Sequence, residues 1–453
     1  MCGIIGLVSL NKGNIVCDLT ESLYHLQHRG QDSYGFSLIT DNKIIIHKDK
    51  GLIKNDLNNY NSEFGIGHTR YPTKGSNTIN EAQPLYFSGK NHKISIVHNG
   101  QIWLNDRLSK YLESNNIPIN KDITSDSVII LSIIGYHLDE YSIITSDIIK
   151  DIVLKLYSIL EGSFNIICLI ENFGLICFKD QYSIRPLILG KKDNDYLISS
   201  ESISLTSLDY DIVSDIYNNE IYIFTDKINH IKLDLKNKIK PCIFEWVYLA
   251  REETIMYGVN VYEARFKMGE YLANKIKKTI PTDLLKDIDY IVPIPDTSKP
   301  CALSISKHLK IPYSESITKN RYVNRTFIMN TQDKRKKNIK RKLNVVEHLI
   351  KDKNLMIVDD SIVRGNTIKH IINLLKKHNV GKIIVISCSP EIINENIYGI
   401  DIPNKDSLIC YNSDINKELN VDFIMFQDLE DLKNSIRYFN NKLTHFEDSI
   451  FVK

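Results

Sequence analysis

The sequence predicts two domains of different class: an α+β domain of layered sheets and helices, then an α/β domain built on a doubly wound parallel sheet. Three observations predict it. The length of 453 residues exceeds what one ordinary hydrophobic core serves. Up to about residue 225, short strands recur between Gly, Asn and Asp turns, and helices interrupt pairs of them. From about residue 240, buried apolar runs alternate with helical stretches instead.

In the first half the strand patterns are Ile4–Val8, Gly35–Ile39, Lys43–His47, Ile94–Val97, Phe164–Ile170 and Gly174–Phe178. A helix is expected over Asp18–His28, with Leu19, Leu23 and Leu26 on one face and Gly30 placed to stop it. Further helices are expected over Asp126–Ile134 and Ile149–Leu160. In the second half, "YIVPIP" (290–295), "LMIVDD" (355–360) and "KIIVIS" (382–387) read as buried strands. Between the last two, Thr367–His378 places Ile368, Ile371, Ile372 and Leu375 on one helical stripe. The join is expected in the Lys- and Asn-rich segment 226–241, giving domains 2–235 and 236–453.

Composition narrows the function classes. An apolar fraction of 43% and a charged fraction of 25% are those of a folded globular chain, and a net charge of +2 exerts no global pull on nucleic acid or membrane. The cysteines at 2, 17, 168, 177, 242, 301, 388 and 410 form no CxxC pair, which suits a reducing, cytoplasmic setting. No apolar run reaches membrane-spanning length, and no leader pattern stands at the N-terminus.

Four stretches carry chemistry. The chain begins "MCGIIG", so removal of Met1 would leave Cys2 with thiol and α-amine on one carbon. Thiols ionise near pH 8.5 and α-amines at about 7.7–8.0, so the amine can serve as base for its own thiol. A small buried residue opening a strand is the plainer reading of the same cysteine. "VDDSIVRGNT" (358–367) ends a strand in two carboxylates, then opens through a short Ser/Gly/Thr loop into a helix. A helix N-terminus suits phosphate, and paired acids suit ribose hydroxyls or Mg²⁺, although an acidic turn with an N-cap explains the letters too. "VPIPDTSKP" (292–300) is a second strand end with a hydroxyl-rich loop. "KRKKNIKRK" (334–342) is a basic loop, solvated by default.

"VDDSIVRGNT" resembles the phosphoribosyl-diphosphate signature of the type I phosphoribosyltransferases. The resemblance implies that Asp359 and Asp360 hold the ribose hydroxyls and Mg²⁺, one ion per subunit. It makes Ser361, Arg364, Gly365, Asn366 and Thr367 part of the 5′-phosphate loop. Asn366 departs from the more usual Thr or Gly. It further implies a pyrophosphate loop with Ser298 near the metal, and a closing basic loop whose contacts are Lys319, Arg321, Tyr322 and Arg325.

In the first half, "LQHRGQDSYG" (26–35), "GIGHTRYPT" (65–73), "HNG" (98–100) and "TSD" (124–126) resemble the class II glutamine amidotransferases, N-terminal-nucleophile enzymes of αββα fold. That family implies Cys2 as nucleophile, Asn99 and the Gly100 N–H as oxyanion hole, Arg70 on the glutamine α-carboxylate and Asp126 on its α-ammonium. His28, His68 and His98 invite a Cys–His pair, which the α-amine makes unnecessary. Ser183 stands where that family usually has Gly, in a turn expected to prefer positive φ.

Joined, the halves imply glutamine hydrolysis coupled to displacement of pyrophosphate from phosphoribosyl diphosphate, the opening step of purine synthesis. Purine nucleotides are then the expected feedback inhibitors and a homo-oligomer the expected assembly, with neither nucleic acid nor membrane as partner. An iron–sulfur cluster is not expected: Cys242 stands at a possible ligand position, but Asn396, Ile397 and the tail supply no further thiolates. No propeptide beyond Met1 is expected. A different glutamine-dependent synthase would share only the first half, and a nucleic-acid-binding sensor would leave Cys2, Arg70 and Asp126 without a task.

Overall fold

The structure is a computed structural model that describes residues 2–54, 60–71, 78–119, 124–320, 343–402, 404–412 and 415–452. The chain forms two compact units, Met1–Pro241 with Ile397–Asp401, and Cys242–Asn396 with Ile402–Lys453.

The first unit stacks two antiparallel sheets. One runs Asp211–Asp215, Ile188–Lys192, Asp195–Ser199, Gly3–Ser9, Phe64–Arg70, Ser33–Thr40, Lys43–Lys50 in spatial order. The other runs Ile228–Lys232, Glu220–Phe224, Gly174–Lys179, Gly162–Ile170, Lys93–Ile102, Leu85–Ser88. Between them lies a dry layer of Ile4, Val8, Ile66, Val97, Ile167, Leu169 and Leu175. Helix Val16–His25 covers the outer face of the first sheet, and Ser127–Asp139 and Ser146–Ile159 cover that of the second, giving an αββα sandwich. The central strands of each sheet are thus buried on both faces, which explains why they read as nearly continuous apolar runs. The outer strands Lys43–Lys50, Asp211–Asp215 and Ile228–Lys232 stay partly exposed.

The expected strands all form, most of them longer than the patterns suggested. The first helix differs: it spans Val16–His25 and ends before Gly30. Gly30 has another task, because a Cβ there would stand 2.5 Å from the Arg70 backbone. It lets this segment lie flat on the strand that carries Arg70. The helix expected to end at Ile134 continues to Asp139, its added turn burying Leu138. The segment expected to join the domains contains a paired strand, Ile228–Lys232, of the first unit.

In the second unit Tyr290–Pro293, Leu355–Asp359, Ile383–Ser387 and Phe423–Phe426 form a parallel sheet in that order. Leu355 and Ile357 pack beneath helix Asn366–Lys377, whose Ile368, Ile371, Ile372 and Leu375 are all buried as its stripe predicts. Burying such a side chain contributes roughly 1.5–3 kcal/mol. Met356 and Val358, on the opposite face, are equally buried. Helix Val261–Thr279 packs in a separate layer against Lys299–Leu309 and Leu429–Arg437. A parallel bridge from Ile291 to Tyr313 puts the next segment of chain on the other side of Tyr290–Pro293, so the order reverses there as in a doubly wound sheet. The strand ends at Pro293 and Asp359 lie side by side at the switch.

Candidate active site

In the first unit Cys2 opens the strand Gly3–Ser9 and is partly exposed, so its neighbours must fix it. Arg29 Nε donates to the Cys2 carbonyl at 3.0 Å, and Arg29 is itself locked to Glu201 in an ion pair with both side chains fully buried. Cys2 N donates to Asn99 Oδ1 at 3.4 Å, and the thiol lies 3.8 Å from the Tyr71 carbonyl oxygen.

Asn99 sits on the facing sheet, 1% exposed. With Oδ1 turned to Cys2, its Nδ2 is a buried donor that has no hydrogen-bond partner among the described residues. A buried unpaired N–H costs about 1–3 kcal/mol, so it is a donor held ready for an acceptor. Gly100 follows with φ of 154°, and a Cβ there would fall 2.0 Å from the Ser163 carbonyl oxygen. Only glycine lets the strand pass so close.

Arg70 ends the strand Phe64–Arg70, almost fully buried, with Nη2 3.7 Å from Glu81 Oε2. Asp126 begins the helix Ser127–Asp139, and its Oδ2 accepts from Ile102 N at 2.8 Å. Arg70 and Asp126 are organised by Glu81, a residue that sequence reasoning missed. Fully buried, Glu81 accepts from Thr124 N at 2.6 Å, Thr124 Oγ1 at 2.7 Å and Ser125 N at 3.0 Å. It therefore clamps the "TSD" turn and stands beside the guanidinium. An acid followed by Ala-Gln-Pro gives no local sign of that role.

Two of the three histidines have other partners. His28 Nε2 meets Glu201 at 2.8 Å, and His98 Nδ1 meets Ser127 Oγ at 2.8 Å. Burial, with Arg70 nearby, holds His68 down at about 3, and burial lowers His98 as well. Both are neutral at physiological pH. A short later segment of the chain completes this unit: Tyr398 O accepts from Ser163 Oγ at 2.7 Å and from Arg185 Nη2 at 2.6 Å. The backbone of Gly399 comes so close to Gly100 that an added Cβ would meet its carbonyl carbon at 3.1 Å.

In the second unit Asp359 ends its strand, 6% exposed, and Oδ1 accepts from Asp360 N at 3.0 Å. Burial, then the neighbouring Asp360 charge, pushes the Asp359 carboxyl well above the usual range. Asp360 Oδ1 in turn accepts from Ser361 Oγ at 2.8 Å. Arg364 is partly exposed, while Asn366 and Thr367 are exposed in the first turn of helix Asn366–Lys377. Gly365, at φ of 74°, supplies no side-chain cap, so the helix opens on uncapped N–H groups. Ser298 is buried and its hydroxyl donates to Ile294 O at 2.7 Å, a bond that braces the loop at 292–300. Lys319 Nζ lies 2.6 Å from Asp296 Oδ2, reaching the same loop. Arg321, Tyr322, Arg325 and the basic run 334–342 lie outside the described residues.

Family models match both halves: a glutamine amidotransferase domain over residues 68–207 and a phosphoribosyl transferase domain over 263–389. The chain is 36% identical to the amidophosphoribosyltransferase of Pseudomonas aeruginosa, covering 100% of this chain and 92% of the relative. Identity to the Escherichia coli enzyme of the same name is 37% at the same coverage. To that of Schizosaccharomyces pombe it is 34%, over 100% and 89%. Among solved structures, the glutamine phosphoribosylpyrophosphate amidotransferase of Bacillus subtilis, complexed with ADP and GMP, superposes with a TM-score of 0.83 at 26% identity, covering 99% of this chain and 94% of that one. A structure described as the allosteric regulatory enzyme of purine biosynthesis gives 0.86 at 26%, covering 100% and 95%.

Proposed function

The chain belongs to the amidophosphoribosyltransferase family, and on that premise we propose how its own residues perform the two half-reactions. The enzyme moves the amide nitrogen of glutamine to C1 of 5-phosphoribosyl 1-diphosphate. The products are 5-phosphoribosylamine, glutamate and pyrophosphate, at the first step of purine biosynthesis.

In our reading Arg70 pairs with the glutamine α-carboxylate and Asp126 with its α-ammonium, placing the side-chain amide at Cys2. With Met1 removed, the Cys2 amine takes the thiol proton and the thiolate attacks the amide carbon. The oxyanion that forms is met by Asn99 Nδ2 and the Gly100 N–H, where one donor is typically worth about 3–4 kcal/mol of barrier. The amine returns the proton to the leaving nitrogen, ammonia departs, and water hydrolyses the thioester to glutamate. The observation that carries this reading is Asn99, whose Oδ1 holds Cys2 N while its Nδ2 is buried and unpaired among the described residues.

For the second half, Asp359 and Asp360 receive the ribose hydroxyls, and Ser361–Thr367 with the helix N-terminus receive the 5′-phosphate. Two adjacent carboxylates, one of them buried, fit Mg²⁺. When bound, the ion would neutralise charge on the leaving diphosphate. Arg321, Tyr322 and Arg325, which lie outside the described residues, are proposed with Lys319 as contacts to the sugar diphosphate. An iron–sulfur cluster does not fit: Cys242 is buried beside Glu447, which accepts from Asn396 Nδ2 at 3.4 Å. The nucleotides in the Bacillus subtilis structure support purine-nucleotide feedback here. Cytoplasmic location and assembly into a homo-oligomer complete the proposal.

The test is Cys2→Ala. It should abolish pyrophosphate release driven by glutamine and preserve release driven by ammonium. Retained glutamine-dependent activity would remove Cys2 from the mechanism.

A further inference from the structure

The glutamine pocket just proposed contains a cation that the reaction does not yet use. Lys48 lies on the strand Lys43–Lys50, opposite Gly35, and Gly35 lies opposite His68 on the strand that ends in Arg70. Cross-strand partners share a face, and Arg70, two residues beyond His68, shares it too. This is the face turned toward the second sheet, where His68 is fully buried. Gly35 has no side chain there because the Gln83 carbonyl packs over it, 2.5 Å from where a Cβ would stand. The Lys48 strand also packs on the turn Ile79–Glu81. Lys48 is partly buried, and among the described residues no hydrogen bond or ion pair holds its ammonium.

Charge then decides the matter. Glu81 is already engaged by three donors from Thr124 and Ser125, and its approach to Arg70 is long, at 3.7 Å. Lys48 and Arg70 thus both stand around Glu81, which already receives three donors, and Asp32 is the further carboxylate beside Arg70. We propose that Lys48 is a second cation of the glutamine pocket, placed to draw the substrate α-carboxylate onto Arg70. The inference rests on the assignment of Arg70 to that carboxylate.

Burial and the Arg70 charge push Lys48 down to about 8, with Glu81 opposing. The charged groups facing this corner are His68 and Arg70 on one strand, Glu81 on the turn, Asp32 beside Arg70, and His98 across the sheets. His68 and His98 are neutral throughout the alkaline range. Lys48 is charged below about pH 8 and loses its charge above it, so attraction of the carboxylate must weaken as pH rises.

The experiment measures KM and kcat for glutamine by pyrophosphate release from pH 7 to 9, with ammonium as the alternative nitrogen source. Lys48→Met should raise KM for glutamine roughly three- to tenfold at pH 7, the scale of one partly screened charge pair. The kcat and the ammonium-driven rate should stay within about twofold. Lys48→Arg, which cannot deprotonate, should keep the low KM and flatten the wild-type rise between pH 7 and 9. Because the substrate's own ammonium titrates nearby, that comparison isolates Lys48. A K48M enzyme with wild-type KM and wild-type pH dependence would overturn the inference. If K48M fails to fold, an unflattened profile in K48R overturns it instead. Arg70→Met, assayed alongside, separates the two levels. An unchanged KM there would sink the pocket itself, whereas a raised KM with an indifferent K48M would sink only the role of Lys48.

Discussion

Replacing Glu81 by Gln changes one buried oxygen to an amide nitrogen and removes a charge while keeping the shape. In the wild type one oxygen receives Thr124 N and Thr124 Oγ1, and the other receives Ser125 N and faces Arg70. Whichever position the new NH₂ takes, a backbone N–H is left facing a donor. The loss is one charge-assisted bond plus an unpaired buried N–H, about 3 kcal/mol together. If the cost falls on the positions of Arg70 and Asp126, kcat/KM for glutamine drops roughly 100-fold, since about 1.4 kcal/mol is tenfold. Pyrophosphate release driven by ammonium needs neither residue and should stay within about twofold. The assay runs both nitrogen sources on one preparation of E81Q. A kcat/KM for glutamine within fivefold of wild type would refute the clamp. An equal loss with ammonium would show general damage instead of a displaced glutamine pocket.

Two further substitutions probe other parts of the account. Ser183 is buried at φ of 54°, a left-handed conformation that costs a non-glycine residue roughly 1 kcal/mol. Ser183→Gly should therefore raise the melting temperature and leave both activities within about twofold; a lowered melting temperature would contradict it. Asp359 has a folded-state pKa well above its unfolded value, so the folded state holds this proton more tightly and loses stability as pH climbs from about 4 through the folded value. Asp359→Asn removes that loss. It should melt higher than wild type at pH 8 without ligands, with the gap closing toward pH 4, and it should release no pyrophosphate from either nitrogen source. A lower melting point at pH 8 would show that the burial of Asp359 is compensated.

Much of this was legible in the sequence because the deciding signals are local. The stripe of Ile368, Ile371, Ile372 and Leu375 marks a buried helix face, and "VDD" at the end of an apolar run marks a strand end. The positive φ expected at Ser183 comes from the resemblance, since the amidotransferases usually have Gly in that turn. What escaped depends on contacts between distant positions. Glu81 acquires its role only when Thr124 and Ser125, some forty residues on, fold against it. Nothing in "YGID" announces that Tyr398 O will be held by Arg185 and Ser163 in the first unit. Gly30 read as a helix stop because glycine often is one, and its approach to Arg70 required the sheet to exist. The fourth parallel strand, Phe423–Phe426, is four apolar residues long, too short for any period to show.

The most direct test of the central claim follows glutamate and pyrophosphate together, from glutamine and purified protein, with and without phosphoribosyl diphosphate and Mg²⁺. The account predicts the two products in equal amounts, with glutamate release rising sharply once the sugar diphosphate is added. Glutamate formed at the same rate without it, and no pyrophosphate, would contradict the coupling of Cys2 to the acids at Asp359 and Asp360.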